Sequence, residues 1–254
     1  MLFLVGLGLS KADLSVRALD AISKAGILYV ESYTAPVEEE YFSYLESSTG
    51  KKIIKLERSD LEENAEKTVA KAADAVIAIM APGDPLIATT HHILLDAAHR
   101  ANIKVHVFHA ASIFSAAIGA SGLDIYKFGP TTTIPFWSER YRPTSFLDVI
   151  SKNKSSGEHT LLLLDVDQKR NATMGISEAM DILTGAAGSD HAINGTFLVL
   201  SDIGAASEEI VRTSLESSKS TEWERFRGRR ISIIIPAQTS FAEDEAIRRF
   251  PEVK

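Results

Sequence analysis

The chain has 254 residues, 45% of them apolar and 24% charged, an ordinary balance for a globular protein of one or two domains. Its 34 acidic and 27 basic residues leave a formal charge of −7, which argues against a large nucleic-acid footprint. With 0 cysteines it has no disulfide, thiolate metal site or cysteine nucleophile, a usage that fits a reducing cytoplasm. No apolar run approaches the ~18 residues of a membrane span, so no membrane association is expected.

Strands and helices alternate along most of the chain. Leu2 to Val5 is a short apolar strand, and Asp13 to Ala25 reads as a helix with Ala18, Ile22 and Ala25 on one face. Ile27 to Val30 is the next strand, Glu38 to Ser47 a helix, and Lys52 to Leu56 a strand. Ser59 with Glu62 has capping-box spacing for a helix reaching Ala73. Ala75 to Met80 is a buried strand, Thr90 to Arg100 a helix capped by Thr89 or Thr90, and Lys104 to Phe108 a strand. This repetition predicts a parallel sheet with helices on both faces.

The pattern changes after Ser112. Ile113 to Ala120 is a short helix of small residues, and Ile125 to Phe136 reads as an extended connection or hairpin at a change of domain. Alternation then resumes. Helices are expected at Phe146 to Asn153, Ser177 to Leu183, Ser207 to Ser217 and Ala242 to Phe250. Strands are expected at Thr160 to Val166, Thr196 to Ser201 and Arg230 to Ile235. The fold class is therefore α/β, with two α/β domains, 1–110 and 111–254, and a ligand cleft between them. Each strand of both domains is expected to deliver its loop to the same edge.

The segment Ala81-Pro82-Gly83-Asp84-Pro85-Leu86-Ile87-Ala88-Thr89-Thr90-His91 carries most information. Its Pro-Gly and Asp-Pro pairs force a tight turn at a strand's carboxyl end, where open α/β sheets bind ligands. Asp84 either closes that turn through an Asx hydrogen bond or holds a ligand. Gly6-Leu7-Gly8 invites a dinucleotide reading with Glu31 as the ribose-binding acid, but Lys11 replaces the third glycine. The alternatives are a sharp strand-to-helix turn, or room for an adenosine lying across strand ends without a phosphate cradle. His91 and His92 point about 100° apart on a helix and cannot chelate one ion well; no metal site is expected. Ser112 reads as a helix cap, with no nucleophile elbow around it.

Four segments carry a family resemblance: Leu2 to Leu9, Pro82 to His91, His109-Ala110-Ala111-Ser112-Ile113, and Ile125-Tyr126-Lys127-Phe128-Gly129. Together they resemble the archaeal diphthine synthases, which are tetrapyrrole-methylase-like, class III methyltransferases. The resemblance extends through Pro143 to Ser145, His159 to Leu162 and Glu178 to Met180, and covers essentially the whole chain. The first two segments are shared across the superfamily; the Ala-Thr-Thr-His extension and the Ile-Tyr-Lys-Phe-Gly segment are specific to the diphthine branch.

The resemblance implies a homodimer with S-adenosylmethionine in the interdomain cleft. It places cofactor contacts on Leu9, Asp84, Ile87, Ser112, Ile113 and Leu164, and also on Ile203 and Ile231. It implies methylation of the amino group of a 3-amino-3-carboxypropyl chain built on a histidine of translation elongation factor 2. The chain departs from the family pattern at Asp202, where a basic residue is usual, at Ile231 for histidine, and at Ala237 for glycine. Asp165 and His91 are the acids and bases near the expected site, and no catalytic base is assigned. Rival readings are a corrinoid or RNA methyltransferase, a nicotinamide oxidoreductase and a non-catalytic binding module.

Overall fold

The computed structural model describes residues 1–167, 172–187, 193 and 195–253. It divides into two compact units, Met1–Ile113 and Phe114–Lys254.

The first unit runs β1 (Leu2–Gly6), α1 (Val16–Lys24), β2 (Ile27–Glu31), α2 (Glu39–Thr49), β3 (Ile53–Leu56), α3 (Arg58–Leu61), α4 (Ala65–Ala70), β4 (Ile77–Ala81), α5 (His92–Arg100) and β5 (Val105–Phe108). Its sheet is all parallel, in the order β3-β2-β4-β1-β5. Alternation along the strands decides the two faces. Leu2, Leu4, Ile77 and Ile79 pack with Leu61, Val69 and Leu94 from α3, α4 and α5. Val5, Leu28, Ala78 and Met80 pack with Ala18, Ile22, Phe42 and Leu45 from α1 and α2. β1 and β4 are neighbours, yet the helices that follow them, α1 and α5, lie on opposite faces. Their carboxyl ends therefore diverge around a crevice, the usual ligand position in such sheets.

Local chemistry moved several boundaries. The first predicted helix starts late: Lys11–Asp13 is a 3₁₀ turn, and Ser15 caps α1 through the Ala18 N–H. The expected Ser59–Glu62 capping box is instead Glu57 with Asp60, and the helix breaks before α4. There the Asn64 N–H and side-chain amide both donate to the Ser59 carbonyl, at 2.8 and 3.1 Å, and close the turn. Neither Thr89 nor Thr90 caps α5. His91 stands at that position; Thr89 Oγ1 is spent on the Pro85 carbonyl and Thr90 Oγ1 on Glu62, each at 2.8 Å.

α6 (Ile113–Ser121) starts at the last residue of the first unit and continues into the second, which also holds β6 (Thr132–Ile134), α7 (Ser145–Ser155), β7 (Thr160–Leu164), the ribbon β8 (Val166–Asp167) and β9 (Ala172–Thr173), α8 (Ile176–Ala187), β10 (Phe197–Ser201), β11 (Glu209–Thr213), β12 (Ile231–Ile235) and α9 (Phe241–Arg248). Its main sheet has the order β11-β10-β12-β7-β6 and is mostly antiparallel, with only β6 and β7 parallel. Phe146, Ile150, Met180 and Leu183 of α7 and α8 cover Leu162, Phe197, Val199 and Ile233 on one face. Here the sequence reading is corrected once. Ser207 to Ser217 is not a helix: Glu209–Thr213 forms the edge strand β11, whose β-branched Ile210, Val211 and Thr213 suit a pleated surface. Of the two readings of Ile125 to Phe136, the structure takes the extended connection rather than the hairpin: the segment contributes a 3₁₀ turn and β6, which pairs parallel to β7. Continuous apolar runs report that both faces are buried, which is common in parallel sheets but does not fix direction.

Candidate functional site

The carboxyl edge of the first unit is built by three loops that press together. β1 continues past its end: the Leu7 N–H donates to the Ala81 carbonyl at 2.8 Å, and Gly8 and Gly83 exchange N–H···O bonds of 3.1 and 2.8 Å. A Cβ on Gly6 would sit 2.7 Å from both Ala110 Cβ and the Gly83 carbonyl oxygen. One on Gly8, at φ +73°, would meet Asp13 Cβ at 2.3 Å. The glycines therefore admit the protein's own backbone, and the sharp-turn reading replaces the dinucleotide one. Asp13 Oδ2 accepts the Leu9 and Ser10 N–H groups, each at 3.0 Å, and so sets the loop that carries Leu9.

Asp84 joins the β4 loop to the β5 loop. Its carboxylate is nearly buried, at 5% exposure. Oδ1 accepts the Leu86 N–H at 3.0 Å, which closes the Asx turn. Oδ2 accepts the Ala110 N–H at 3.1 Å and is 2.8 Å from His109 Nδ1. A carboxylate only accepts, so His109 Nδ1 carries the hydrogen it gives to Asp84. The His109 side chain is 68% exposed, and Nε2 has no hydrogen-bond partner among the described residues. Sequence reasoning placed His109 in a family segment but missed this pairing, because the two residues lie 25 positions apart. Ile87 is an exposed apolar side chain on the same loop, next to Ala88, which adopts the left-handed φ of 56°. Ser112 is buried at the end of the β5 loop, and Ile113 opens α6. Thus Leu9, Asp84, Ile87, Ser112 and Ile113 all fall on the three loops of one edge.

Behind this edge lies a buried polar cluster. Glu31, at the end of β2, is fully buried and accepts the Tyr33 N–H at 3.0 Å, the Thr34 N–H at 3.1 Å and the Thr34 hydroxyl. It caps its own loop and has no surface for a ribose. Burial pushes its carboxyl up to about 7, against the pull of those three hydrogen bonds. His91 is also buried. Its Nδ1–H donates to the Pro85 carbonyl at 2.8 Å, and Nε2 lies 3.3 Å from the Tyr33 hydroxyl and 4.0 Å from Glu31. Burial holds the imidazole below its ordinary range, opposed by the Pro85 hydrogen bond and the Glu62 charge. His91 thus pins the Pro82 to His91 loop from inside and is shut off from any substrate.

In the second unit the strand register gathers the remaining predicted residues. Ser201 pairs with Ile231, and Leu163 with Ser232, so Leu164, Ile231 and the β10 end before Ile203 share one sheet edge. The expectation of one common loop edge is corrected by the antiparallel order. Ile235 pairs with Thr160, so the loop after β12, with Ala237, leaves from the opposite edge. Asp202 takes a structural role. At φ 49° it accepts the Arg230 N–H at 3.0 Å and the Ser207 hydroxyl at 2.9 Å. Asp165, the other candidate base, is engaged by the Phe136 and Val166 N–H groups at 3.1 and 2.9 Å.

The Ile125 to Gly129 segment is locked beneath its surface. Lys127 Nζ lies 2.5 Å from buried Glu243 and 2.6 Å from the Gln238 carbonyl. Ala237 N–H donates to His159 Nδ1, so His159 Nε2 carries the hydrogen it gives to Glu243 at 2.9 Å. Burial raises the Glu243 carboxyl, but bonds from Lys127, the Ser240 N–H, His159 and the Asp124 N–H outweigh it and hold it well below the usual range. A Cβ on Gly129 would meet Asn153 Oδ1 at 2.4 Å, which accounts for that glycine.

The edge of the first unit offers an uncovered apolar side chain, Ile87, beside buried Ser112 and loop backbone, groups that suit a nucleoside-type ligand. Within the second unit, the fully buried Ser201 hydroxyl has no hydrogen-bond partner among the described residues. Among the described residues no group of three or more histidines or acids could hold a metal, and no helix is long and apolar enough to cross a membrane.

Comparison with known proteins decides the family. The tetrapyrrole (corrin/porphyrin) methylase model matches residues 1–218. The diphthine synthase of Methanothermobacter thermautotrophicus is 39% identical over 212 residues, covering 82% of this chain and 80% of that protein. The chain belongs to the diphthine synthase branch of the tetrapyrrole methylases. A crystal structure of a diphthine synthase superposes with a TM-score of 0.87 at 31% identity, covering 99% of this chain and 96% of the other. The diphthine methyl ester synthase of Homo sapiens is 38% identical over 173 residues, covering 68% of this chain and 60% of that protein.

Proposed function

We propose that this chain is a diphthine synthase that transfers methyl groups from S-adenosylmethionine to the amino group of the 3-amino-3-carboxypropyl-modified histidine of translation elongation factor 2. The observation that carries this reading is a match to a diphthine synthase structure over 99% of the chain, both units included. Cofactor contacts fall on Leu9, Asp84, Ile87, Ser112 and Ile113 of the first unit and on Leu164, Ile203 and Ile231 of the second. The enzyme works as a cytoplasmic homodimer, and needs neither metal, nucleic acid nor membrane.

The cofactor supplies an electrophilic methyl group on its sulfonium. What remains for the protein is to align the acceptor nitrogen with the methyl carbon and sulfur, and to keep water out. Rigid loops serve alignment, and the first unit's edge is braced by Gly6, Gly8, Asp84 and His91.

A second reading is methylation of the neighbouring carboxylate to a methyl ester, favoured by the 38% identity to the human relative. One experiment tests both. Elongation factor 2 bearing the aminocarboxypropyl-histidine is incubated with the protein and S-adenosylmethionine, and its intact mass is followed. Alkali-stable gains of whole methyl units support the amine reading, and an alkali-labile gain supports the ester. No gain overturns both.

A further inference from the structure

We propose that His109 is the catalytic residue that takes the proton from the acceptor amine, with Asp84 as its positioning residue. This rests on the amine-methylation reading. Three observations carry it: Asp84 Oδ2 is 2.8 Å from His109 Nδ1; that carboxylate is itself fixed by the Leu86 and Ala110 N–H groups; and the His109 side chain is open to solvent. The carboxylate consumes Nδ1–H, so the lone pair is left on Nε2, which points away from the only partner the ring has among the described residues. An imidazolium formed at Nε2 meets the buried carboxylate's charge through Nδ1. This is the arrangement that lets a histidine accept a proton and be held in one tautomer while it does so.

The chemistry needs such a group. An ammonium has no lone pair, so the proton must leave before the nitrogen can attack. His109 Nε2 takes that proton. The nitrogen lone pair then forms a bond to the methyl carbon, the carbon–sulfur bond breaks, and its electron pair stays on sulfur as S-adenosylhomocysteine. Each N–H replaced by methyl releases one proton, and His109 passes it to water. Of the two candidates read from the sequence, His91 is buried, and both Asp165 oxygens are engaged by backbone N–H groups. A carboxylate acceptor already carries its lone pairs and releases no proton, so ester formation does not need His109.

The test uses the full chain with the modified elongation factor. His109→Gln keeps a donor for Asp84 but cannot take the proton, and His109→Ala opens space for added imidazole. We expect amine methylation to slow about 10²–10⁴-fold in kcat in both variants. S-adenosylhomocysteine affinity by calorimetry should stay within about threefold of the parent, and imidazole should restore rate to His109→Ala alone. Variant rates within about threefold of the parent would overturn the proposal, as would a loss that imidazole cannot restore in a variant that still binds S-adenosylhomocysteine. If the parent protein itself transfers no methyl group to the amine, the underlying function is at fault instead.

Discussion

Replacing Glu31 by glutamine should make the first unit more stable above neutral pH while leaving it nearly unchanged in acid. The native carboxyl is pushed from 4.5 to about 7, because the side chain is fully buried at the end of β2 and, among the described residues, its nearest basic partner is His91 at 4.0 Å. Below about pH 4.5 the group is protonated in both folded and unfolded chains and costs nothing. Between there and about 7 the unfolded chain ionises first, so stability falls as pH rises. The gap is 7 − 4.5, about 2.5 pH units, and at ~1.36 kcal/mol per unit the full penalty is about 3 kcal/mol. Glutamine cannot ionise and retains an acceptor for the Tyr33 and Thr34 N–H groups. The variant-minus-parent stability should therefore climb by about 3 kcal/mol from pH 4.5 to 8. His91 acts in the opposite sense, since its lowered value favours the fold above its ordinary 6.5, but it is common to both proteins. Both tryptophans, Trp137 and Trp223, lie in the second unit, so their fluorescence would follow the wrong part of the molecule. Urea midpoints should be read from β2 and α5 peptides by pulsed hydrogen exchange at one labelling pH. A difference that stays flat from pH 5 to 8 would refute the argument, because it would mean Glu31 is ionised without penalty.

Three other outcomes are expected. Gly6→Ala should destabilise the first unit by about 1–3 kcal/mol and weaken S-adenosylhomocysteine binding, since the added methyl collides with Ala110 and the Gly83 carbonyl at 2.7 Å; unchanged calorimetry would remove the clash. Asp84→Ala removes the Asx turn and the tie to the β5 loop, so affinity should fall at least about tenfold, about 1.4 kcal/mol; unaltered affinity would take Asp84 out of the site. In the second unit the depressed Glu243 carboxyl adds stability that is present above about pH 4.5 and lost as pH falls below it. Glu243→Gln should flatten that acid limb, and Lys127→Met, which takes the ammonium away from the buried carboxylate, should cost about 3 kcal/mol at pH 7 by tryptophan fluorescence; an unchanged acid limb would count against the buried network.

The resemblance drawn from the sequence reached well into the fold and family. The four quoted segments led to the tetrapyrrole methylase fold and the diphthine branch, and the family match and the superposed structure agree. Periodicity also placed most strands and helices to within a few residues. It failed where competing partners were remote. Thr90 looks like a cap until Glu62 claims its hydroxyl, and Glu209–Thr213 looks helical until β10 offers it an edge.

By itself, then, the sequence determined which stretches are buried and which turns are forced, because hydrophobic spacing and Gly or Pro geometry are local properties. Only tertiary structure decided strand direction in the second unit, the register that gathers Leu164 and Ile231 at one edge while sending Ala237 to the other, and the meeting of Asp84 with His109. Those depend on contacts between residues tens of positions apart. No local pattern encodes such contacts, since a hydrogen bond is specified by distance in space and not by spacing along the chain.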